Sequence, residues 1–237
     1  MGIDVLETDM HSTADGALVL IHDPTVERTT SGSGRVNQLT LTQLKALDAG
    51  YHWSDDGGRS FPFRGRGITV PTVEEVFSAF PEMRINIDIK QARPPLAERF
   101  CRLIRDLHMV ERVMVASFNS STLRECRRLC PAVATSAGRS EVRLFYAMSL
   151  LSPRAAFLPA GCYALQVPVS SKGLQVITRR FLVAARLRNQ QVNAWTVNSG
   201  PQMERLLRLG VDGIVTDYPD RLLALLGRRP GPLYQRS

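Results

Sequence analysis

Short apolar runs alternate with amphipathic stretches along most of the chain. Seven runs have the length and composition of buried strands, and the amphipathic stretches between them space their apolar residues as helices do. The pattern predicts strands at residues 4–8, 84–89, 112–117, 133–137, 164–167, 192–197 and 213–216, and helices at 96–107, 121–129, 140–150, 178–188, 202–209 and 220–226. Many of these helices begin at a capping signal, such as Asn119 before Ser120 and Ser121.

Strand–helix alternation indicates parallel strands joined by crossover helices, and hence an α/β fold. Two architectures remain open: an eight-stranded barrel, of which the predicted parallel strands fall one short, and an open doubly wound sheet. No glycine-rich phosphate loop follows an early strand, which counts against a dinucleotide-binding sheet. No repeat or linker divides the chain, so we expect one domain over residues 1–227 and an arginine-rich tail over 228–237.

The segment after the first predicted strand departs from this alternation. Residues 13–16 carry an Asp-Gly turn signal, and the apolar run 17–21 follows so closely that it predicts an antiparallel hairpin. We expect this hairpin to project from the mouth of the barrel. Residues 29–70, rich in Gly, Ser and Arg, form an insertion with one predicted helix at 41–47, and long insertions are usually lids or small subdomains.

The chain has 30 basic and 22 acidic residues, a net charge of +8, which favours anionic partners. The arginines are scattered and no basic groove interleaved with aromatic residues is present, so we expect no nucleic-acid partner. No apolar run reaches the about 20 residues of a membrane-spanning helix, so we expect no integral membrane segment. The four cysteines lack zinc-site spacing, and as reduced structural thiols they favour a reducing, cytoplasmic location.

Candidate chemistry lies on two predicted strands. Glu7 and Asp9 are two residues apart and share one face, while Asn86, Asp88 and Lys90 alternate with isoleucines that should face the helices. Both strands then direct polar groups to the C-terminal mouth, where barrel active sites lie. Buried carboxylates are costly unless paired or bound to metal, and such hard oxygen ligands suit Mg²⁺ or Ca²⁺. Two plainer interpretations remain: Glu7 and Asp9 are merely exposed at a strand end, or Lys90 simply neutralises Asp88.

His22 ends the hairpin, next to Asp23 and beside the predicted carboxylate face. The ordinary pKa of histidine suits general acid–base catalysis near neutrality. A lone histidine is more often a structural hydrogen-bonding residue, but this position favours a catalytic role. We interpret His11, His52 and His108, which have no comparable setting, as surface or packing residues.

These motifs, in this order, resemble the glycerophosphodiester phosphodiesterase family. The residues Glu7-Thr8-Asp9, the turn 13–16 and the pair His22-Asp23 look like its E-x-D, T-x-D-G and H-D motifs, and residues 88–90 are similar to its E-I-K strand. Residues 61–67 and 71–75 resemble its inserted region and the following helix. Residues 192–198 and 210–217 resemble its last two strands, so the likeness runs nearly from end to end.

The resemblance implies a TIM (β/α)₈ barrel that hydrolyses small glycerophosphodiesters to sn-glycerol 3-phosphate and an alcohol, with one divalent cation, Mg²⁺ or Ca²⁺. Carried over by position, Glu7, Asp9 and Asp88 would bind the metal. His22 would be one of two acid–base histidines, and Lys90 would contact the phosphate. In the family's usual mechanism the glycerol 2-hydroxyl attacks phosphorus, a cyclic phosphate forms, and water opens it.

Three further points qualify this expectation. Trp195 would line the glycerol side of the pocket, although a core indole fits its position equally well. Asp88 stands where the family commonly has Glu, so we expect altered metal geometry rather than loss of the ion. The family's first strand, with a His-Arg-Gly motif, and the helix near a Glu-Asn-Thr motif do not occur in the sequence. That unit would supply the second histidine, a phosphate-binding arginine and the eighth strand, so we expect an N-terminally truncated, weakly active copy with an unpaired sheet edge.

Two alternatives to glycerophosphodiester hydrolysis remain open. One is an inactive barrel that binds metal and phosphodiester without turnover. The other keeps the fold but changes the substrate, as in a lysophospholipase D or a sphingomyelinase-D-like enzyme, with Phe61 and Phe63 in contact with lipid.

Overall fold

The computed structural model describes residues 2–154, 156–157 and 161–228. The strands are β1 Val5–Ser12, β2 Leu18–Leu20, β3 Arg84–Ile89, β4 Val113–Ala116, β5 Ala134–Ser136, β6 Cys162–Pro168, β7 Ser170–Ser171, β8 Leu174–Gln175, β9 Gln191–Trp195 and β10 Gly213–Ile214. The helices are α1 Leu41–Lys45, α2 Val73–Ala79, α3 Ala97–Asp106, α4 Ser120–Leu129, α5 Arg139–Leu151, α6 Arg179–Arg186, α7 Gly200–Leu209 and α8 Pro219–Leu225, with a 3₁₀ turn at Val36–Gln38. All predicted elements are present, with ends that differ by up to four residues. Apart from Arg228, the predicted tail lies outside the described residues.

Eight strands form one curled sheet in the order β10-β9-β6-β5-β4-β3-β1-β2. All neighbouring pairs are parallel except β1 with β2, so the seven predicted parallel strands are confirmed. The parallel strands follow chain order, as in a barrel, and do not reverse as in a doubly wound sheet. Within the described residues no backbone pairing joins β10 to β1, which leaves the sheet open along that edge. The small β7–β8 hairpin was not predicted from the sequence.

The β1–β2 hairpin begins where β3 ends. Val5 to Met10 pair with β3, whereas Met10 to Ser12 pair antiparallel with β2, so β1 is longer than the pattern predicted. The turn is held by the Thr13 hydroxyl, which accepts a hydrogen bond from the Ala17 N–H at 2.9 Å. The predicted antiparallel hairpin is therefore confirmed, and its pairing continues past the last β3 residue that pairs with β1.

The insertion stands on this hairpin. Val19 and Ile21 of the hairpin share a buried apolar cluster with insertion residues that include Leu44 and Val70. The helix α1 begins with a capping box at Thr40, which satisfies backbone N–H groups that a short helix would otherwise leave free. The hairpin and the insertion therefore form one packed unit at the end of the sheet where β1 and β3 terminate.

Two larger apolar clusters lie between the sheet and its outer helices. Ile85, Ile87 and Ile89 of β3 are almost fully buried against α3 residues such as Phe100 and Ile104. This packing confirms that the isoleucines face the helices, which turns the alternate β3 residues to the inside of the curl. The four cysteines are buried and unbridged, as expected. Over the described residues, the helices are all too short or too polar to span a membrane.

Candidate active site

A cavity of about 270 Å³ opens at the C-terminal ends of the parallel strands. Side chains from β1, β3 and β9 reach it, together with one from the residue that follows the β1–β2 hairpin. The structure brings together around this cavity all the residues that were predicted to form the site, namely Glu7, Asp9, His22, Asp88, Lys90 and Trp195. Their grouping follows from the parallel sheet, in which the carboxyl ends of all strands lie at one face.

Lys90 bridges two of the carboxylates. Its Nζ lies 2.6 Å from Asp88 Oδ2 and 2.9 Å from Asp9 Oδ1, and Asp9 and Asp88 are direct neighbours in the β1–β3 register. Burial alone lowers the pKa of Lys90, but its hydrogen bonds to Asp88 and Asp9 outweigh this and hold the pKa above its usual range. Lys90 does neutralise Asp88, as one of the plainer interpretations has it, yet one ammonium faces two carboxylates and leaves excess negative charge.

Asp88 has an oxygen without a partner. Its Oδ2 accepts the hydrogen bond from Lys90, whereas Oδ1 is buried and has no hydrogen-bond partner among the described residues. Burial raises the pKa of Asp88 although Lys90 opposes the rise. Leaving a buried acceptor unsatisfied costs about 1–3 kcal/mol, and more for a charged group. Asp88 Oδ1 is therefore suited to bind a cation or to accept a hydrogen bond from a ligand.

Glu7 adds a third carboxyl on the same face of β1. The residue is exposed along the open sheet edge, yet partial desolvation of its carboxyl, together with the charges of Asp9 and Asp88, raises the pKa of Glu7 to about 7. The cavity therefore concentrates acidic groups that resist simultaneous ionisation. In the part of the chain that the structure describes, however, there is no group of three Asp, Glu, His or Cys side chains placed closely enough to hold a metal ion. Lys90 occupies the space between two of the candidate ligands.

His22 is oriented by a charged neighbour. Its Nδ1 lies 2.6 Å from Asp23 Oδ1, and Asp23 Oδ2 accepts a hydrogen bond from Arg28 Nε at 2.5 Å. The bonds from Arg28 and then His22 lower the pKa of Asp23 to about 2, so this carboxylate stays ionised. Because Nδ1 is engaged, proton exchange falls to Nε2. His11 is a packing residue, as expected: it is buried, burial lowers its pKa, and its Nε2 contacts the His22 carbonyl oxygen at 3.3 Å.

Two aromatic side chains form one wall of the cavity. The Trp195 ring packs edge-on against Phe118 with centroids 5.8 Å apart, and Lys90 Nζ lies 5.3 Å from the Phe118 centroid. Trp195 is half-buried in this wall rather than in the core. Phe118 was not predicted as a site residue, because a single aromatic residue just after a strand has no periodic signal.

Gln166 lines the cavity, and Asn86 holds its side chain in place. Gln166 Nε2 donates to Asn86 Oδ1 at 2.8 Å, and Asn86 Nδ2 donates to Gln166 Oε1 at 3.2 Å, so the pair spans the curl from β3 to β6. Gln166 was also missed, although it lies on the face opposite Leu165 and Val167 of a predicted strand. The alternation of apolar and polar residues on this strand could have predicted that Gln166 faces the inside of the curl.

Residues 1–221 match the model of the glycerophosphoryl diester phosphodiesterase family. The chain belongs to this family. The glycerophosphodiester phosphodiesterase of Caldanaerobacter subterraneus is 32% identical over 231 residues, which cover 95% of this chain and 87% of that protein. The family assignment makes the chain a phosphoric diester hydrolase by class, and the resemblance seen in its motifs is confirmed.

Solved structures support the barrel architecture. The glycerophosphoryl diester phosphodiesterase domain of a Mycobacterium tuberculosis protein has a TM-score of 0.79 at 20% identity, covering 95% of this chain and 88% of that chain. An Oleispira antarctica phosphodiesterase, solved in complex with the product sn-glycerol-3-phosphate, has a TM-score of 0.72 at 22% identity, covering 95% and 86%. The predicted α/β TIM-barrel class is confirmed.

Proposed function

We propose that this chain hydrolyses small glycerophosphodiesters to sn-glycerol 3-phosphate and an alcohol in the cavity at the strand ends. The observation that carries the proposal is the meeting of three carboxyls, one ammonium and one oriented imidazole in a single small cavity. Its volume of about 270 Å³ suits a ligand of the size of glycerol phosphate rather than a polymer. The product named for the Oleispira antarctica relative agrees with this reaction.

We also propose one divalent cation, Mg²⁺ or Ca²⁺, with Glu7, Asp9 and Asp88 as its ligands. The donor set fits: all are hard carboxylate oxygens, and Asp88 Oδ1 is buried without a partner among the described residues. With Glu7 ionised, three carboxylates against Lys90 leave two negative charges, which a divalent ion balances. When bound, the cation would polarise a phosphoryl oxygen and offset the charge that develops there. That Asp88, in place of the family's usual Glu, alters the geometry of the metal site remains a prediction.

The protein side chains have distinct roles in this proposal. Lys90, displaced from its carboxylate partners, contacts a phosphate oxygen as a point charge. The glycerol 2-hydroxyl loses its proton and adds to phosphorus, the bond from phosphorus to the departing alcohol oxygen breaks, and that oxygen gains a proton. His22 makes one of these two proton transfers through Nε2. Water then adds across the cyclic phosphate and yields glycerol 3-phosphate. Trp195 bounds the glycerol side of the pocket.

The reaction needs a second acid–base group, and we propose that it comes from a strand that closes the open sheet edge. Asp9 O accepts the Ile21 N–H while Met10 O accepts the Lys90 N–H from β3. Since parallel strands alternate their bonding sides, the backbone of Val5 and Glu7 faces the open edge. A further parallel strand there would end beside Glu7. Without the second group, turnover is expected to be about 10²–10⁴-fold lower.

A coupled assay tests the proposal. Glycerophosphocholine is incubated with the protein and Mg²⁺ or Ca²⁺, and glycerol 3-phosphate is detected with its dehydrogenase. The same assay is run on a chimera that carries, ahead of β1, a strand and helix with the family's His-Arg-Gly and Glu-Asn-Thr motifs. Release that EDTA abolishes, stronger in the chimera, supports the proposal. Binding without release in both proteins supports an inactive barrel, and turnover of acylated substrates alone supports a lysophospholipase D or sphingomyelinase-D-like enzyme.

A further inference from the structure

The insertion exposes an apolar surface that neither the core nor the cavity uses. Trp53, Phe63 and Ile68 are 47%, 42% and 41% exposed, and the Trp53 and Phe63 rings pack edge to face with centroids 4.7 Å apart. The Ala49 N–H donates to the Ile68 carbonyl at 2.8 Å, so the two segments that carry these residues lie side by side. We refer to Trp53, Phe63 and Ile68 as the aromatic patch.

The aromatic patch stands on an internally bonded platform. Asp48 accepts hydrogen bonds from the N–H groups of Gly50 at 2.8 Å and Gly65 at 2.7 Å, which ties the two segments together. A Cβ on Gly50 would clash with the Phe63 carbonyl oxygen, so the two backbones are in close contact. These contacts fix the loop conformation in which the rings are exposed. Clustered exposed apolar side chains of this kind mark interaction surfaces.

Three arginines lie next to the aromatic patch in the sequence. Arg64 is held between the rings of Tyr51 and Phe61, with its Cζ 4.1 Å and 4.0 Å from their centroids, while Arg59 and Arg66 are exposed. Phe61 is half-buried under this guanidinium. The exposed apolar side chains available to a partner are therefore those of the aromatic patch.

The acidic residues nearby offset only part of this charge. Asp56 accepts hydrogen bonds from Ser54, Ser60 and the Arg59 N–H and so serves the turn, while Asp55 is exposed. Over residues 29–70 there are five basic and three acidic side chains. The insertion therefore has a formal net charge of +2, of the same sign as the whole chain at +8.

We propose that the aromatic patch docks the protein on the surface of an anionic phospholipid bilayer. Tryptophan and phenylalanine flanked by arginine suit the headgroup region, where rings enter the acyl boundary and guanidinium groups meet phosphates. A second copy of the chain is the poorer occupant, because it would bring like-charged arginines and two positive proteins together. The hairpin carries both the insertion and His22, so docking places the cavity at the same end of the protein as the lipid. This inference concerns binding and does not depend on the proposed hydrolysis.

Intrinsic fluorescence tests the proposal, because the chain contains two tryptophans. In a Trp195→Phe background, emission reports Trp53 alone. Vesicles of phosphatidylglycerol and phosphatidylcholine in equal parts should shift this emission to shorter wavelength, and brominated acyl chains should quench it. Pure phosphatidylcholine vesicles should bind far more weakly, and added salt should weaken binding to the anionic vesicles.

Variants separate the aromatic and the cationic contributions in vesicle cosedimentation. The double variant Trp53→Ala/Phe63→Ala should bind at least about tenfold more weakly, and Arg59→Gln or Arg66→Gln about fivefold each. Tyr163→Ala is the matched control: Tyr163 is 55% exposed but lies near the start of β6, at the opposite end of the strands from the cavity. Its binding should be unchanged.

Three results would overturn the proposal. The first is equal vesicle binding by the double variant and by Tyr163→Ala. The second is an absence of Trp53 quenching by brominated lipid in the protein that retains the aromatic patch, a result that does not depend on how the variants fold. The third is sedimentation that shows self-association at micromolar concentration, lost in the double variant, which would assign the patch to a contact between copies of the chain.

Discussion

Lys90→Met removes the ammonium from between Asp9 and Asp88 while it keeps most of the side-chain volume. All three side chains are at most 20% exposed, so water replaces little of the lost interaction. Neither carboxylate oxygen of Asp88 would then have a hydrogen-bond partner among the described residues. Asp9 would lose its only cationic partner there. We predict that the variant folds but is markedly less stable in the absence of divalent cations.

The distances from Lys90 to the two carboxylates give the size of the expected loss of stability. At an effective dielectric constant of about 20, unit charges 2.6 Å or 2.9 Å apart attract by about 6 kcal/mol per pair, before the desolvation of the groups is subtracted. Removing one partner of a buried pair typically costs about 3–5 kcal/mol. Protonation of Asp88, whose pKa is already raised, limits the loss, so we expect about 3 kcal/mol. For a domain of this size that corresponds to a melting temperature roughly 6–12 °C lower.

Urea unfolding followed by circular dichroism in EDTA measures this loss. Lys45→Met is the matched control, because Lys45 contacts Glu75 at 2.5 Å but Glu75 is 53% exposed, and exposed pairs contribute at most about 1 kcal/mol. Without the ammonium the pKa of Asp88 rises further above its unfolded value, so the deficit should grow as pH rises above the usual pKa range of an aspartate. Equal losses for the two lysine variants in EDTA would refute the reasoning.

Three other substitutions probe the fold and the site. Burial raises the pKa of Glu141, but its hydrogen bonds from Arg127 hold the pKa below the usual range; Glu141→Gln should therefore cost about 3 kcal/mol in urea unfolding at pH 7, a loss that vanishes as pH falls through the lowered pKa. A loss that persists unchanged in acid would contradict this. Asp88→Asn should abolish the rise in melting temperature caused by Mg²⁺ or Ca²⁺, and an unchanged rise would remove Asp88 from the ligand set. His22→Gln should lower turnover about 10²–10⁴-fold without loss of stability, since the side chain is 62% exposed, and His52→Gln should leave turnover unchanged.

The part of the site that the sequence predicts is the part that depends on local geometry. Glu7 and Asp9 share a face because they are two residues apart on a strand, and the isoleucines of β3 indicate by their spacing that Asp88 and Lys90 face inward. The parallel direction of seven strands follows from the alternation of strands and helices. These inferences need no knowledge of which strands become neighbours.

What the sequence did not predict depends on contacts between distant segments. Phe118 reaches the cavity only because β4 and β9 bring it near Trp195, and Gln166 meets Asn86 across the curl. The bridge from Lys90 to Asp9 requires the register of β1 on β3. The extra length of β1 likewise comes from its pairing with β2, a tertiary contact rather than a local preference.

Phosphorus NMR of glycerophosphocholine turnover tests the central claim most directly, because it follows the phosphodiester and its product in one sample. The wild-type chain and Asp88→Asn are compared with Mg²⁺ or Ca²⁺ and again with EDTA. The proposed site predicts slow conversion of the diester resonance into that of glycerol 3-phosphate by the wild-type chain with cation, and none with EDTA or with Asp88→Asn. Turnover that survives both EDTA and Asp88→Asn would contradict the proposed site.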